Sequence, residues 1–405
     1  MKSANFLRLS GMMFLEFFVW GAWYVTVGNY MAAVGMSDAI YWAYTVGPIG
    51  AIVSPFFLGM VADRFFSTEK VLGVLHIIGG IAMLLAPIAA NAGEAGIFII
   101  LLLVHMLCYM PTVGLANALA FHHISDQEKQ FPVVRVFGTI GWIVAGVLVS
   151  MVLGADKTDV PLRVAGIAGL VMGVYAFFLP HTPPTPKKAV SFREIAGIDA
   201  LGKLWSPSFL VFIIGSFLIC IPLSAYYAYA PVYVSTSGVE NPAFRMSFGQ
   251  MSEALFILAL PLFFRWMGIK WVLVIGMLAW VLRYVLFALA APASVVWMIM
   301  GGILLHGICY DFFFVAGQIY VDKVSTPAIR GQAQGFLVLM TYGIGMLIGA
   351  LISGWIHNAM ITETGGMAQW QNFWAIPAVI AGVILVVFTM FFKNAEPATA
   401  GATKG

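Results

Sequence analysis

The chain has 405 residues, of which 61% are hydrophobic and only 9% are charged. Soluble domains carry about 25% charged residues, so this composition all but excludes a water-soluble fold. The net charge of +3 is spread along the chain rather than gathered in a basic stripe. We therefore expect no nucleic-acid partner.

Apolar stretches of about twenty residues follow one another along the chain, and each is long enough for a transmembrane helix. We predict spans near 8–31, 39–62, 70–90, 96–120, 130–154, 161–180, 207–233, 246–266, 270–291, 295–321, 331–356 and 370–392. The longest polar stretch, 181–205, separates six spans from six. The predicted organisation is an N-terminal six-helix bundle at 1–180, a cytoplasmic linker at 181–206, a C-terminal six-helix bundle at 207–393 and a disordered tail at 394–405.

The basic residues predict the orientation of these spans. With both termini in the cytoplasm, most of the 20 Lys and Arg residues fall in cytoplasmic segments. Such a bias follows the positive-inside rule. We therefore expect a multi-pass membrane protein with both termini on the cytoplasmic side.

Only three carboxylates lie deep inside the apolar spans: Glu16, Glu253 and Asp311. A charge at the bilayer centre costs about 2.5–3.5 kcal/mol on insertion scales, so each needs a partner or a function. By depth, Glu253 could form a structural ion pair with Arg283, and Glu16 could pair with Arg135. Asp311 has no basic residue at its own depth, and desolvation favours its protonated form. We predict Asp311 as the main proton carrier, with Glu253 or Glu16 second; a hydrogen bond to a neighbouring helix is the alternative for Asp311.

The loop after the second span reads Gly59-x-x-x-Asp63-Arg64. This pattern resembles the signature loop of the major facilitator superfamily. The resemblance implies an all-α membrane protein with the major facilitator fold, about 12 transmembrane helices in two six-helix bundles. Asp63 and Arg64 would then act in gating, by latching the two halves on the cytoplasmic side; plain topology charge is the alternative. No P-loop motif is present, so ATP drive is not indicated.

Further segments resemble the bacterial nucleoside–proton symporter family. They include FxxWGAWxVTxGNYM at 17–31, YMPTVGLAN at 109–117, FPVVRVFGTIGW at 131–142, GQMSEALFIL at 249–258, YDFFF at 310–314 and PAIRGQAQG at 327–335. They occur in both halves, so the resemblance extends over nearly the whole chain. The resemblance implies a proton-coupled importer of nucleosides that works by alternating access in the bacterial inner membrane.

The same resemblance implies the substrate-binding residues. Arg135, Thr139 and Trp142 would come from the fifth span, Gln250 and Glu253 from the eighth, and Tyr310 and Asp311 from the tenth. The chain departs from the family pattern at three places. Ser224 and Tyr227 stand where amides are expected, His306 stands where an aromatic residue is expected, and Glu16 stands where an uncharged polar residue is usual. These departures leave the solute open between a nucleoside and a sugar, glycoside or other polyol.

Histidines also lie within the predicted spans, at positions 76, 105 and 306. They indicate either a proton relay or interhelix hydrogen bonds. No HExxH, GxSxG or CxxC motif occurs, so we predict no enzyme activity. We expect no metal and no cofactor, with a proton gradient as the energy source and a monomer in the lipid bilayer as the working form. A membrane-embedded enzyme and a non-transporting sensor are the competing function classes.

Overall fold

The computed structural model describes residues 3–57, 66–184, 202, 204–326, 329–362 and 364–393. The described part of the chain is helical, which confirms the predicted all-α fold class. The α-helices are α1 (Ser3–Trp23), α2 (Val27–Ala33), α3 (Ile40–Phe57), α4 (Thr68–Asn91), α5 (Ala95–His123), α6 (Gln127–Gly146), α7 (Val160–Ala176), α8 (Pro207–Thr236), α9 (Pro242–Ala290), α10 (Val296–Leu304), α11 (His306–Tyr310), α12 (Ala316–Val324), α13 (Arg330–Val338), α14 (Met346–Met360) and α15 (Ala368–Phe391).

Within these residues, nine helical stretches are long and apolar enough to cross a membrane. The 49-residue helix α9 contains Gly268, whose φ of 72° and ψ of 173° are not helical. Glycine adopts a positive φ readily because it has no Cβ. Gly268 lies where the sequence predicts the turn between the spans 246–266 and 270–291. The helix α7 is shorter, at 17 residues, and α3 ends where the described residues stop. The full number of twelve spans therefore stays a prediction.

The chain divides into two compact units. The first comprises residues 1–190, 227–235 and 240–244, and the second comprises 191–226, 236–239 and 245–405. In the first unit, α1 packs against α6 and α7, while α4 packs against α5 and α7. A Cβ atom at Gly141 would collide with the carbonyl oxygen of Phe14, so glycine lets α1 and α6 approach closely. The predicted domain boundaries stay a prediction.

Three segments of the described helices have the wider π-helical turn: Val147–Val152, Asp311–Val315 and Leu339–Gly345. Such turns are often found at functional sites, because the extra residue changes which side chains face a neighbouring helix. The second of these segments begins with Asp311, and the third contains Tyr342. The sequence predicted helix at both places but not the change of turn.

Large apolar side chains remain exposed on the helices. Leu258 is 80% exposed, Trp355 74% and Val379 65%. Exposed apolar surface of this kind marks an interaction with another apolar phase. Together with the apolar helices, it fits a chain whose outer surface faces lipid.

Candidate transport site residues in the two units

Asp311 is a buried carboxyl group of the second unit. Its side chain is fully buried, and neither carboxylate oxygen has a hydrogen-bond partner among the described residues. The carboxylate of Glu253 lies within electrostatic range of it. A buried carboxylate that is neither paired nor hydrogen-bonded is costly when ionised. This position therefore suits a group that carries a proton.

In the second unit, His306 lies between Arg283 and Glu253. Arg283 donates from Nη2 to Nδ1 of His306 over 3.1 Å. An arginine can only donate, so Nδ1 accepts and the hydrogen of the neutral ring is on Nε2. This Nε2 atom lies 3.9 Å from Oε2 of Glu253. His306 is thus oriented as a donor toward Glu253, and the predicted structural ion pair of Arg283 stays a prediction.

Aromatic rings surround this histidine. Tyr226 stacks on His306 with ring centroids 5.3 Å apart, and the Arg283 guanidinium lies 4.1 Å from the centre of the Tyr226 ring. Tyr310 stacks on the ring of His306 at 5.9 Å, and its hydroxyl accepts from Tyr342 over 2.5 Å. Stacked rings with a few fixed polar groups are the usual lining of a site for a planar solute. Tyr342 was not among the predicted residues, because no depth or motif signal distinguishes it.

Gln250 and Ser224, two further predicted residues of this unit, differ in whether their polar atoms already form a hydrogen bond. The Oε1 atom of Gln250 is buried and has no hydrogen-bond partner in the described part of the chain. Ser224 is 1% exposed, and its hydroxyl donates to the carbonyl oxygen of Cys220 over 2.7 Å. The hydroxyl hydrogen of Ser224 is therefore engaged within its own helix, whereas Gln250 retains an open acceptor.

In the first unit, the predicted residues of α6 lie beside aromatic rings. The guanidinium of Arg135 lies 3.9 Å from the centre of the Phe17 ring. Thr139 follows Arg135 by one helical turn and is partly exposed. Both residues lie on the same helix face, as their spacing of four predicts.

Four rings meet near Trp142. Its centroid lies 5.5 Å from that of Trp20 and 6.3 Å from that of Tyr24, and Tyr24 lies 5.9 Å from Tyr227. The Nε1 donor of Trp20 is buried without a hydrogen-bond partner among the described residues. The fold thus brings together two predicted residues, Trp142 and Tyr227, that are 85 positions apart in the sequence.

Glu16 is fully buried, and both of its carboxylate oxygens have partners. Oε2 lies 2.8 Å from Nε2 of His76, and Oε1 lies 2.6 Å from Oγ1 of Thr112. The hydroxyl of Tyr109 donates to the Glu16 backbone carbonyl over 2.7 Å. The suggested pair of Glu16 with Arg135 stays a prediction. The side-chain partners of Glu16 just named, His76 and Thr112, lie on α4 and α5.

The predicted gating residues Asp63 and Arg64 lie outside the described residues.

A family model described as Nucleoside H+ symporter matches residues 3–397. The chain belongs to this family. It is 39% identical over 402 residues to the putative nucleoside transporter YegT of Escherichia coli strain K12, with 96% of this chain and 94% of that protein covered. It is 32% identical to the nucleoside permease NupG of the same organism, with 96% of both proteins covered.

A crystal structure of the nucleoside transporter NupG superposes on this symporter with a TM-score of 0.87 and 30% sequence identity. The match covers 98% of this chain and all of that one. The resemblance seen in the sequence is confirmed, as is the assignment to transporters rather than enzymes. The symporter is a multi-pass membrane protein related to bacterial inner-membrane transporters.

Proposed function

We propose that this symporter imports nucleosides by proton-coupled, alternating-access transport. The observation that carries the proposal is Asp311, a fully buried carboxyl without a hydrogen-bond partner among the described residues. It lies on a membrane-crossing helix that also carries His306 and Tyr310. An intramembrane carboxyl beside rings and polar groups is a default pointer to a proton and solute pathway.

In this mechanism, Asp311 takes up a proton from outside and becomes neutral. Glu253 or Glu16 is the second proton group. The neutral site then loads the solute, and alternating access exposes it to one side of the membrane at a time. Release of the solute inside lowers the affinity for the proton, which leaves down its gradient, because coupled ligands affect each other reciprocally.

The proposed solute contacts are in both units. In the first unit they are Arg135, Thr139, Trp142 and Tyr227. In the second they are Gln250, Glu253, His306, Tyr310 and Asp311, with Ser224 a contact only after its hydroxyl leaves Cys220. Rings stack on the nucleobase, while Gln250 and the Nε2–H of His306 bind its edge or a ribose hydroxyl.

We further propose that the protein works as a monomer in the lipid bilayer of the bacterial inner membrane, with both termini in the cytoplasm. The positive-inside bias of its basic residues supports this orientation. A proton gradient is the energy source, and no cofactor takes part. Asp63 and Arg64 remain the proposed cytoplasmic gating residues.

A sugar, glycoside or other polyol is the second candidate solute. The observation that favours it is the segment 222–231, which carries tyrosines and a serine where the family resemblance leads us to expect amides. A maltose permease of Geobacillus stearothermophilus is 22% identical over 383 residues.

The test is uptake of labelled uridine into proteoliposomes under an imposed inward proton gradient. We expect accumulation that a protonophore collapses and that unlabelled nucleosides, but not sugars, inhibit. Inhibition by sugars alone would favour the second candidate. Binding of nucleosides without any uptake would identify a sensor and overturn the proposal.

A further inference from the structure

A buried polar cluster in the first unit surrounds Glu16. Its carboxylate contacts His76 on α4 and Thr112 on α5. Glu16 and Thr112 are fully buried, and His76 is 3% exposed. Glu16, His76 and Thr112 all belong to the first unit, whereas Asp311 belongs to the second.

The hydroxyl of Thr112 has two close oxygen neighbours but only one hydrogen. Its Oγ1 atom lies 2.6 Å from Oε1 of Glu16 and 2.5 Å from the carbonyl oxygen of Tyr109. A carbonyl oxygen only accepts, and so does an ionised carboxylate. With Glu16 ionised, these two short oxygen–oxygen contacts have to share the one hydroxyl hydrogen of Thr112.

A protonated Glu16 removes this conflict. The carboxyl O–H then donates from Oε1 to Thr112, and Thr112 donates to the Tyr109 carbonyl oxygen. The second carboxyl oxygen, Oε2, accepts from the Nε2–H of a neutral His76 over 2.8 Å. Every short contact of the cluster then has one donor and one acceptor.

Moving the proton from Glu16 to His76 does not give each contact of Thr112 its own hydrogen. An ionised Glu16 beside a protonated His76 holds the same number of protons, but the conflict at Thr112 remains. The other titratable or charged groups near the cluster are Tyr109 and His105 on α5 and Arg135 on α6. The hydrogen-bond contact of Oε1 of Glu16 is with Thr112, and that of Oε2 is with His76.

We propose that Glu16, His76 and Thr112 form a second proton-binding site, separate from Asp311, with the proton on Oε1 of Glu16. The inference deepens the proposed function, on which its role in transport rests. Loss of this proton places an ionised carboxylate against the Thr112 oxygen and changes the contact of α1 with α4 and α5. Proton binding in the first unit would thereby influence helix packing.

The direct test is infrared difference spectroscopy of the purified full chain, titrated with base in the absence of solute. We expect a component of the neutral-carboxyl C=O stretching band that disappears at high pH and is missing at every pH in Glu16→Gln, while the component from Asp311 remains. Thr112→Val should shift the Glu16 component, because it removes the hydrogen-bond acceptor of the carboxyl. Thr389→Val should leave it unchanged, since Thr389 donates to the Leu385 carbonyl oxygen within its own helix.

The spectra test the protonation of Glu16 independently of nucleoside transport. The spectra need neither a solute nor a gradient, so they are informative even if uridine is not the substrate. Identical spectra for the wild type and Glu16→Gln would show that Glu16 is ionised and would overturn the proposal. A Glu16 component that no pH removes from the folded protein would also overturn it, because the site must release its proton.

A transport measurement checks the role of the site. Proton-driven uptake by Glu16→Gln should have a different pH profile from the wild type, because one titrating group is lost. Thr389→Val is the control, with the wild-type profile. An unchanged pH profile in Glu16→Gln would reduce the cluster to a structural contact and contradict the proposal.

Discussion

Glu16 and Asp311 are both fully buried carboxyl groups on apolar helices, and their surroundings are opposite. Glu16, in the first unit, has a histidine and a threonine on its two oxygens. Asp311, in the second unit, has no hydrogen-bond partner among the described residues. Burial alone therefore does not determine whether a carboxyl group has hydrogen-bond partners.

Asp311 and Glu16 illustrate two different reasons for which a carboxyl group buried in a membrane can hold a proton. At Asp311, an ionised group would lack any partner in the described part of the chain. At Glu16, the proposed proton gives each short oxygen contact of Thr112 its own hydrogen. The first kind of site tolerates removal of its side chain, whereas the second leaves polar groups behind that need new partners.

The largest expected effect is on transport by Asp311→Asn. One proton moving through about 100 mV supplies about 2.3 kcal/mol, which corresponds to about 50-fold accumulation. The variant should lose this accumulation and keep exchange of labelled for unlabelled nucleoside, which needs no net proton movement. The measurement is uridine uptake in proteoliposomes, with Asp159→Asn as the control, because Asp159 pairs with Arg163 at the surface. Wild-type accumulation by Asp311→Asn would remove Asp311 from the coupling mechanism.

Alanine substitutions at Glu16 and Asp311 test whether the two carboxyl groups contribute differently to the stability of the fold. Glu16→Ala leaves His76 and Thr112 without their partner, and each buried unsatisfied group costs about 1–3 kcal/mol. Asp311→Ala leaves no such group. Glu16→Ala should therefore lower the Tm of the detergent-solubilised protein more than Asp311→Ala does. Equal losses would mean that the contacts of Glu16 do not stabilise the fold.

Substitutions of His306 test whether its ring or its Nε2–H donor binds the solute. His306→Phe keeps the aromatic ring but removes the Nε2–H, and loss of one hydrogen bond costs about 0.5–1.5 kcal/mol. We expect a KM for nucleoside about 2–10-fold higher. His306→Gln, which retains a side-chain N–H donor, should lie closer to the wild type. The reverse order, measured by initial uptake rates, would show that the ring rather than the donor binds the solute.

The smallest effect concerns Asp156, a carboxylate in the loop before α7 of the first unit. Burial raises the pKa of Asp156, although Ser150 and the Ala243 N–H donate to its two oxygens. An unfolded Asp has a pKa of about 3.9. Since the folded pKa is higher, the stability from Asp156 is complete below about pH 4 and is lost as the pH rises through the folded pKa.

Asp156→Asn removes this titration while keeping an acceptor for Ala243. The Tm of the wild type relative to the variant should fall as the pH is raised from about 4. Thermal melts over a pH series measure it. A Tm difference that stays constant or grows with pH would contradict the direction of the pKa shift.

Much of the fold was predictable from the sequence, but the partners of the buried charges were not. Hydropathy and the positive-inside bias indicate membrane helices, and Gly268 lies in a predicted turn. The position of a residue along a span gives the depth of its side chain but not its rotation about the helix axis, so the contact of Glu16 with His76 was not predicted. The π-helical turn at Asp311 has the same consequence, because it changes the direction of each following side chain.

The most direct test of the account is proton movement during nucleoside entry without an imposed gradient. Adding uridine to wild-type proteoliposomes should make the external medium more alkaline as protons enter with the solute. Asp311→Asn should admit uridine down its concentration gradient without this alkalinisation. The same number of protons per nucleoside in the wild type and Asp311→Asn would contradict the central claim that Asp311 carries the coupled proton.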